Sequence, residues 1–177
     1  MIAITAMRRW CRYIAGMYFR GQSDATDMVQ VRDTDLALGM PDPVVKALSL
    51  AAVPREIMAG DVLFGEGEAP EGFYLLLSGQ VGYAVSCHNG GPMAVGWVDK
   101  GHAIGLSAVV AGEPHAMTAI ARSRGSALFF SARELGKLLE HYPSLWLKVA
   151  LLLSAGMQQA YSQQIALHTS RTSINLC

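Results

Sequence analysis

From Arg55 to Phe130 the chain is cut by glycine turns into short apolar runs, one roughly every 8–12 residues, and this limits it to small strands. The runs are Glu56–Met58, Asp61–Phe64, Gly72–Leu77, Gln80–Val85, Met93–Val98, Ala116–Ala121 and Ser126–Phe130. Between them stand Ala59-Gly60-Asp61, Gly65-Glu66-Gly67, Ser78-Gly79, Asn89-Gly90-Gly91 and Lys100-Gly101. Strands this short with turn signals this regular predict a β-sandwich or barrel. His88-Asn89-Gly90-Gly91, between two runs, predicts a hairpin tip.

The late stretch Gly101–Ala121 breaks the pattern. It reads as strand end, glycine turn, short apolar helix, tight turn and new strand. Gly105 opens the helical piece and Gly112-Glu113-Pro114 closes it. A helix N-terminus after a glycine turn presents free N–H groups that can hold an anion such as phosphate. An ordinary loop-helix-loop connection reads the same way from local pattern alone.

Helices flank the strands. Asp42-Pro43 predicts a helix start, with Asp42 as cap and an apolar face of Val44, Val45, Leu48 and Ala51, ended by Pro54. Ser131 and Glu134 are spaced for a capping box ahead of Leu135, Leu138 and Leu139. Pro143 then divides that helix from a second one over 143–168, whose only charged residue is Lys148. A helix this apolar is half core and half seam for a second chain. The four-and-three spacing puts Trp146, Val149, Leu153, Gly156 and Ala160 at a homodimer interface, where small Gly156 and Ala160 allow close approach.

Charge adds exclusions. Lys plus Arg number 14 and Asp plus Glu number 14, so no global basic field draws the chain to nucleic acid. Charged residues make up 16% of the chain, against about 25% in ordinary soluble domains, which points to apolar surface covered by a partner. Cys11, Cys87 and Cys177 form no CxxC pair, and a reducing, cytoplasmic setting follows. No stretch is apolar enough to span a membrane. Arg8, Arg9, Arg12 and Arg20 among aromatic residues could lie on a membrane or nucleic acid, or form a solvated leader running into a linker as far as residue 35.

The order helix, short strands with a late inserted helix, then a long helix resembles the cyclic-nucleotide-binding domain, and most of all the sensor half of Crp/Fnr-type (catabolite activator) regulators. The resemblance rests on Ala59–Phe64, Gly65–Glu68, Gly72–Gly79, Gly101–Gly105 and Pro114 before a strand. It implies a mainly β domain with flanking helices. The β part would be a double-stranded β-helix of jelly-roll or cupin-like form, a β-roll, followed by a long C-terminal dimerisation helix. The division would be a leader over 1–35, the roll over 36–142 with a phosphate-binding cassette at 101–121, the dimerisation helix 143–168 and a tail 169–177.

The cassette departs from the family's pattern where it matters. The ligand-binding stretch would comprise Gly105, Leu106, Ser107, His115, Ala116, Met117 and Thr118. Nucleotide-binding members carry Gly-Glu-Leu and Pro-Arg-Ser-Ala; here Leu106 replaces the ribose-gripping acid, His115 the phosphate arginine and Ala116 the serine. Arg is a permanent charge with a planar donor fork, whereas His offers one switchable charge. Each lost contact costs about 2–3 kcal/mol, together on the order of a thousandfold in affinity. The expectation is a degenerate pocket with no cofactor, holding at most a weak cyclic nucleotide or another small anion. Genuine cAMP or cGMP binding by a non-standard mode is the alternative.

Other chemistry is sparse. His88, His102, His115, His141 and His168 have no metal-ligand spacing, which tells against a cupin-like metalloenzyme. No nucleophile elbow or phosphate loop occurs, so no catalytic residue is assigned. The chain stops at Leu176-Cys177, where the family continues into a helix-turn-helix domain. The expectation is therefore a homodimeric, non-enzymatic sensor with a small-molecule effector and no DNA binding by this chain alone.

Overall fold

The computed structural model describes residues 30–87 and 90–174, and within its last helix the side chains as far as residue 158 together with that of Tyr161. The leader to residue 29, Cys11, His88, Asn89, Cys177 and the side chains of Ala160 and His168 lie outside the described residues.

Eight strands form two antiparallel sheets. They are β1 (Val53–Ile57), β2 (Val62–Phe64), β3 (Gly72–Ser78), β4 (Val81–Cys87), β5 (Gly90–Val98), β6 (Ala103–Ile104), β7 (Thr118–Ala121) and β8 (Gly125–Ser131). One sheet has the order β1-β8-β3-β6 and the other β2-β7-β4-β5. The glycine-punctuated pattern implies a β-sandwich or barrel, and this is the mainly β roll that the family resemblance implies. Two-residue β6 was not legible as a run, and β1 begins at Val53, absorbing the proline read as a helix stop. β4 and β5 pair as the expected hairpin, with register shifts between Tyr83 and Ala84 and between Val85 and Cys87. β5 is an edge strand, and its residues 91–95 and Trp97 are exposed.

Strand alternation divides the core in two. Phe73, Leu75, Leu128 and Phe130 face the helices, while Leu76 and Ala127, with Ile57, Phe64, Val81 and Ile104, fill the space between the sheets. The helix layer contains α1 (Asp42–Ala51), α2 (Leu106–Ala111), α3 (Ala132–His141) and α4 (Pro143–Ile174). Pro41, not Asp42, is the N-cap of α1; the Asp42 carboxylate instead meets Arg32 at 2.6 Å. For α3 the cap is as expected, with Ser131 Oγ accepting from the Glu134 N–H at 3.2 Å. The Glu134 side chain turns outward to Lys137 at 2.6 Å.

Residues 31–35 are not linker. Val31 and Thr34 are fully buried with Leu36, because this turn closes one end of the helix-side core. It is fastened at both edges: Asp35 N–H donates to Gly101 O at 2.7 Å, and Lys148 Nζ donates to Leu38 O at 2.9 Å.

The expected seam also shifts. Val149 is 1% exposed and packs with Leu145 in the chain's own core, so it is not at an interface. Leu153 is half-buried against the same core, while Trp146 and Gly156 are exposed. The large outward apolar residues of α4 are Trp146, Leu147, Leu151, Met157 and Tyr161, so the exposed stripe keeps Trp146 from the predicted one and is otherwise rotated from it. Sequence spacing gave the helical period but not which face the β-roll would take. The helix also runs past residue 168, to Ile174. Among the described residues, no helix is long and apolar enough to cross a membrane.

Asp35 is a strained point in this packing. Its Oδ2 accepts from the Ala103 N–H at 3.2 Å, but its Oδ1 is buried without a partner. Burial raises its carboxyl above the usual carboxylate range, against the pull of the Ala103 N–H and the positive field of His102 and Lys148. Nearby Tyr83 is pushed up to about 12, first by burial and then by the Asp35 charge. The folded chain thus keeps the Asp35 proton to higher pH than the unfolded chain does. Its contribution is fully present below the unfolded carboxylate pKa and is lost as pH rises through the raised folded one. Asn at this position can still accept from Ala103 without a charge. Urea melts of Asp35→Asn and wild type, from pH 4 to pH 7, are expected to diverge in the variant's favour as pH rises. A gap that stays constant would refute this account.

Candidate functional site

The site is built around a glycine that cannot carry a side chain. Gly105, the N-cap of α2, has φ 83°, and Gly112 at its C-cap has φ 70°. These two left-handed residues bound a helix of six residues, where the sequence placed it. A Cβ on Gly105 would lie 2.8 Å from the Phe64 ring and 3.1 Å from the His115 ring. Those rings stack face to face, with centroids 3.7 Å apart and planes 9° from parallel.

His115 is held from both sides through its backbone. Its N–H donates to Glu68 O at 2.9 Å, and its carbonyl accepts from the Gly67 N–H at 2.7 Å. The residue is 5% exposed. Desolvation lowers its pKa below the ordinary imidazole value, with the Glu68 carboxylate pulling weakly the other way. The phosphate-arginine position thus carries a neutral ring at pH 7.

A cleft of about 560 Å³ opens at this end of the roll. His115, Phe64 and Leu63 line one side, Tyr74 and Phe129 the other, with Arg55, Glu68 and Glu71 also on its wall. The Tyr74 and Phe129 rings sit 5.0 Å apart and tilted, and the Arg55 guanidinium lies 5.8 Å above the Phe129 ring.

Of the predicted ligand-binding residues, only His115 lines this cleft, and Gly105 lies behind it against the His115 and Phe64 rings. Leu106 is buried in the helix-side cluster, because the only apolar surface a short helix can cover here is the sheet beneath it. Ser107 and Ala116 are exposed and Met117 is half-buried, and none of them lines the cleft. Thr118 braces a turn instead, its Oγ1 accepting from the Glu66 N–H at 3.0 Å. His102 and His115 do not meet: the His102 ring bonds Asp99 O at 3.1 Å. Arg55, Tyr74 and Phe129 were missed. The signal was strand parity, since each sits two residues from an inter-sheet residue (Ile57, Leu76, Ala127) and so shares its face.

Residues 54–142 match the cyclic nucleotide-binding domain family, and the chain belongs to it. No curated protein matches the chain. In three dimensions it is similar to a cyclic nucleotide-binding domain from Methylobacillus flagellatus, with a TM-score of 0.72 and 20% identity over 85% of this chain and 94% of that one. It is also similar to the catabolite activator protein of Thermus thermophilus, with a TM-score of 0.67 and 20% identity over 76% of this chain and 63% of the other. The sensor domain of the transcriptional regulator DNR from Pseudomonas aeruginosa gives 0.64 and 18%, over 76% and 91%. The chain thus carries a cyclic nucleotide-binding domain with the fold these structures share, and it spans less than two thirds of the Thermus activator.

Gly105→Ala would force a side chain into left-handed backbone and against the Phe64–His115 stack. The backbone alone costs about 1–2 kcal/mol, and each kcal/mol lowers Tm by about 2–4 °C in a domain this size. Thermal melts should show a fall of several degrees, whereas an unchanged Tm would mean the stack yields freely.

Proposed function

We propose that this chain is a regulatory, non-enzymatic module that senses a small-molecule effector through a degenerate nucleotide pocket and signals as a homodimer. The observation that carries this reading is the buried His115 stacked on Phe64 at the position where the family grips phosphate. Leu106, at the position of the ribose acid, is out of reach of the cleft. With neither charge in place, cyclic nucleotides bind weakly and no cofactor is required.

Dimerisation runs through α4. Leu147 is 66% and Leu151 58% exposed, on a helix whose inner face already covers the core. Fully covering two such side chains stabilises by about 1.5–3 kcal/mol each. The module works in the cytoplasm, where exposed, free Cys87 stays reduced. Balanced charge gives it no DNA affinity of its own.

Calorimetry tests the pocket. Cyclic AMP and cyclic GMP should bind wild type with high-micromolar affinity or weaker, improving only when the pH falls below the ordinary imidazole range. His115→Arg should tighten binding by about tenfold, equal to about 1.4 kcal/mol. Leu106→Glu, in contrast, would bury a carboxylate among apolar side chains and unfold the domain without creating a ribose contact. Sub-micromolar binding by wild type would establish the alternative, a working nucleotide site. Sedimentation tests the assembly: Leu151→Glu changes an exposed residue and should release folded monomers, while a monomeric wild type at micromolar concentration would end the dimer proposal.

A further inference from the structure

The cleft has a second polar pole that the cassette does not supply. Arg55 stands on β1, in the other sheet from Phe64, and its guanidinium lies over the Phe129 ring. Its one hydrogen bond among the described residues is a 3.5 Å contact to the neighbouring Pro54 carbonyl oxygen, and no carboxylate pairs with it there. Most of its planar donor fork is therefore free at the wall of a cavity large enough for a small molecule.

The other wall groups narrow the choice. Tyr74 and Phe129 give a tilted aromatic wall, and the Phe64–His115 stack a second one. The His115 ring is nearly buried, and among the described residues no protein group bonds its nitrogens. A flat ring between these walls is favoured by stacking and dispersion. A carboxylate on that ring is the group that the free, planar fork of Arg55 can take with two parallel N–H donors. Glu68 and Glu71 share the wall and repel additional negative charge, and Glu68 Oε2 is already occupied by the Gly65 N–H at 2.8 Å. With one guanidinium against two carboxylates on this wall, a ligand with more than one negative charge is disfavoured.

We propose that the roll's cleft binds a planar aryl monocarboxylate, its ring held by Tyr74 and Phe129 and its carboxylate by Arg55. This rests on the reading above that the cleft is the effector site, but not on whether cyclic nucleotides bind there. Neutral His115 adds a hydrogen bond to a polar substituent on the ring.

The test is calorimetry with 2-naphthoate, its neutral analogue 2-naphthamide and cyclic AMP. Wild type should take 2-naphthoate at least about tenfold more tightly than the amide. Arg55→Gln, on an exposed position with an unchanged Tm as the folding control, should erase that preference and leave amide binding as it was. Equal affinity for acid and amide, or an Arg55→Gln variant that keeps the preference, would overturn the assignment of Arg55. No naphthoate binding with weak cyclic AMP binding would overturn the aryl carboxylate alone. Tight cyclic AMP binding without naphthoate binding would overturn this and the degenerate-pocket reading together.

Discussion

The pairing of β3 with β8 is the contact on which the rest of the structure depends. These strands run antiparallel from Gly72 opposite Ser131 to Ser78 opposite Ser126. They approach so closely at their ends that a side chain on Gly72 would start 2.1 Å from the Phe130 carbonyl oxygen, and one on Gly125 the same distance from that of Ser78. Between those glycines, Phe73, Leu75, Leu128 and Phe130 serve one core and Leu76 and Ala127 the other. Phe73 and Phe130 stack at 4.9 Å on the helix side, and Tyr74 and Phe129 meet on the cleft side. One ladder thus holds the helices, closes the roll and supplies one wall of the site.

The cassette and the long helix are joined by the same packing. Leu106 from α2 and Val149 from α4 belong to one apolar cluster, along with Leu36 from the N-terminal turn. That turn also bonds the approach to the cassette at Gly101 and the long helix at Lys148. A ligand that moved Gly105 would press on a contiguous, close-packed body and not on a flexible connection, and close-packed bodies respond by switching between arrangements more than by yielding.

Much of this was legible in the sequence because turns are local. Glycines at 60, 67, 79, 101, 105 and 112 all take positive φ, and they marked strand ends and the short helix correctly. Ser131 was legible as a cap for the same reason. What failed was orientation. Leu106 was placed in the ligand site by alignment of motifs, whereas the shortness of α2 turns it into the helix-side core. Val149 was placed at a seam by helical spacing, which gives a period and not a phase. The Asp42 cap was displaced by an ion pair with Arg32, ten residues away and invisible to local pattern. Arg55 and Phe129 sit 74 positions apart on adjacent strands, so their shared cleft became visible only once β1 and β8 were paired.

The edge strand β5 has a consequence of its own. It is nine residues long and carries Met93, Val95 and Trp97 in the open. An unpaired strand with apolar side chains is a template on which another chain can add itself. Three irregularities work against that. Pro92 removes a donor from the ladder, and the two register shifts against β4 bend and coil the hairpin. The Arg122 guanidinium lies 5.4 Å from the Trp97 ring and sets a charge over the largest apolar surface there. The imperfections of this hairpin are therefore its protection, since a straighter, better-paired β5 would make a stickier molecule, prone to polymerise sheet to sheet in a crowded cell.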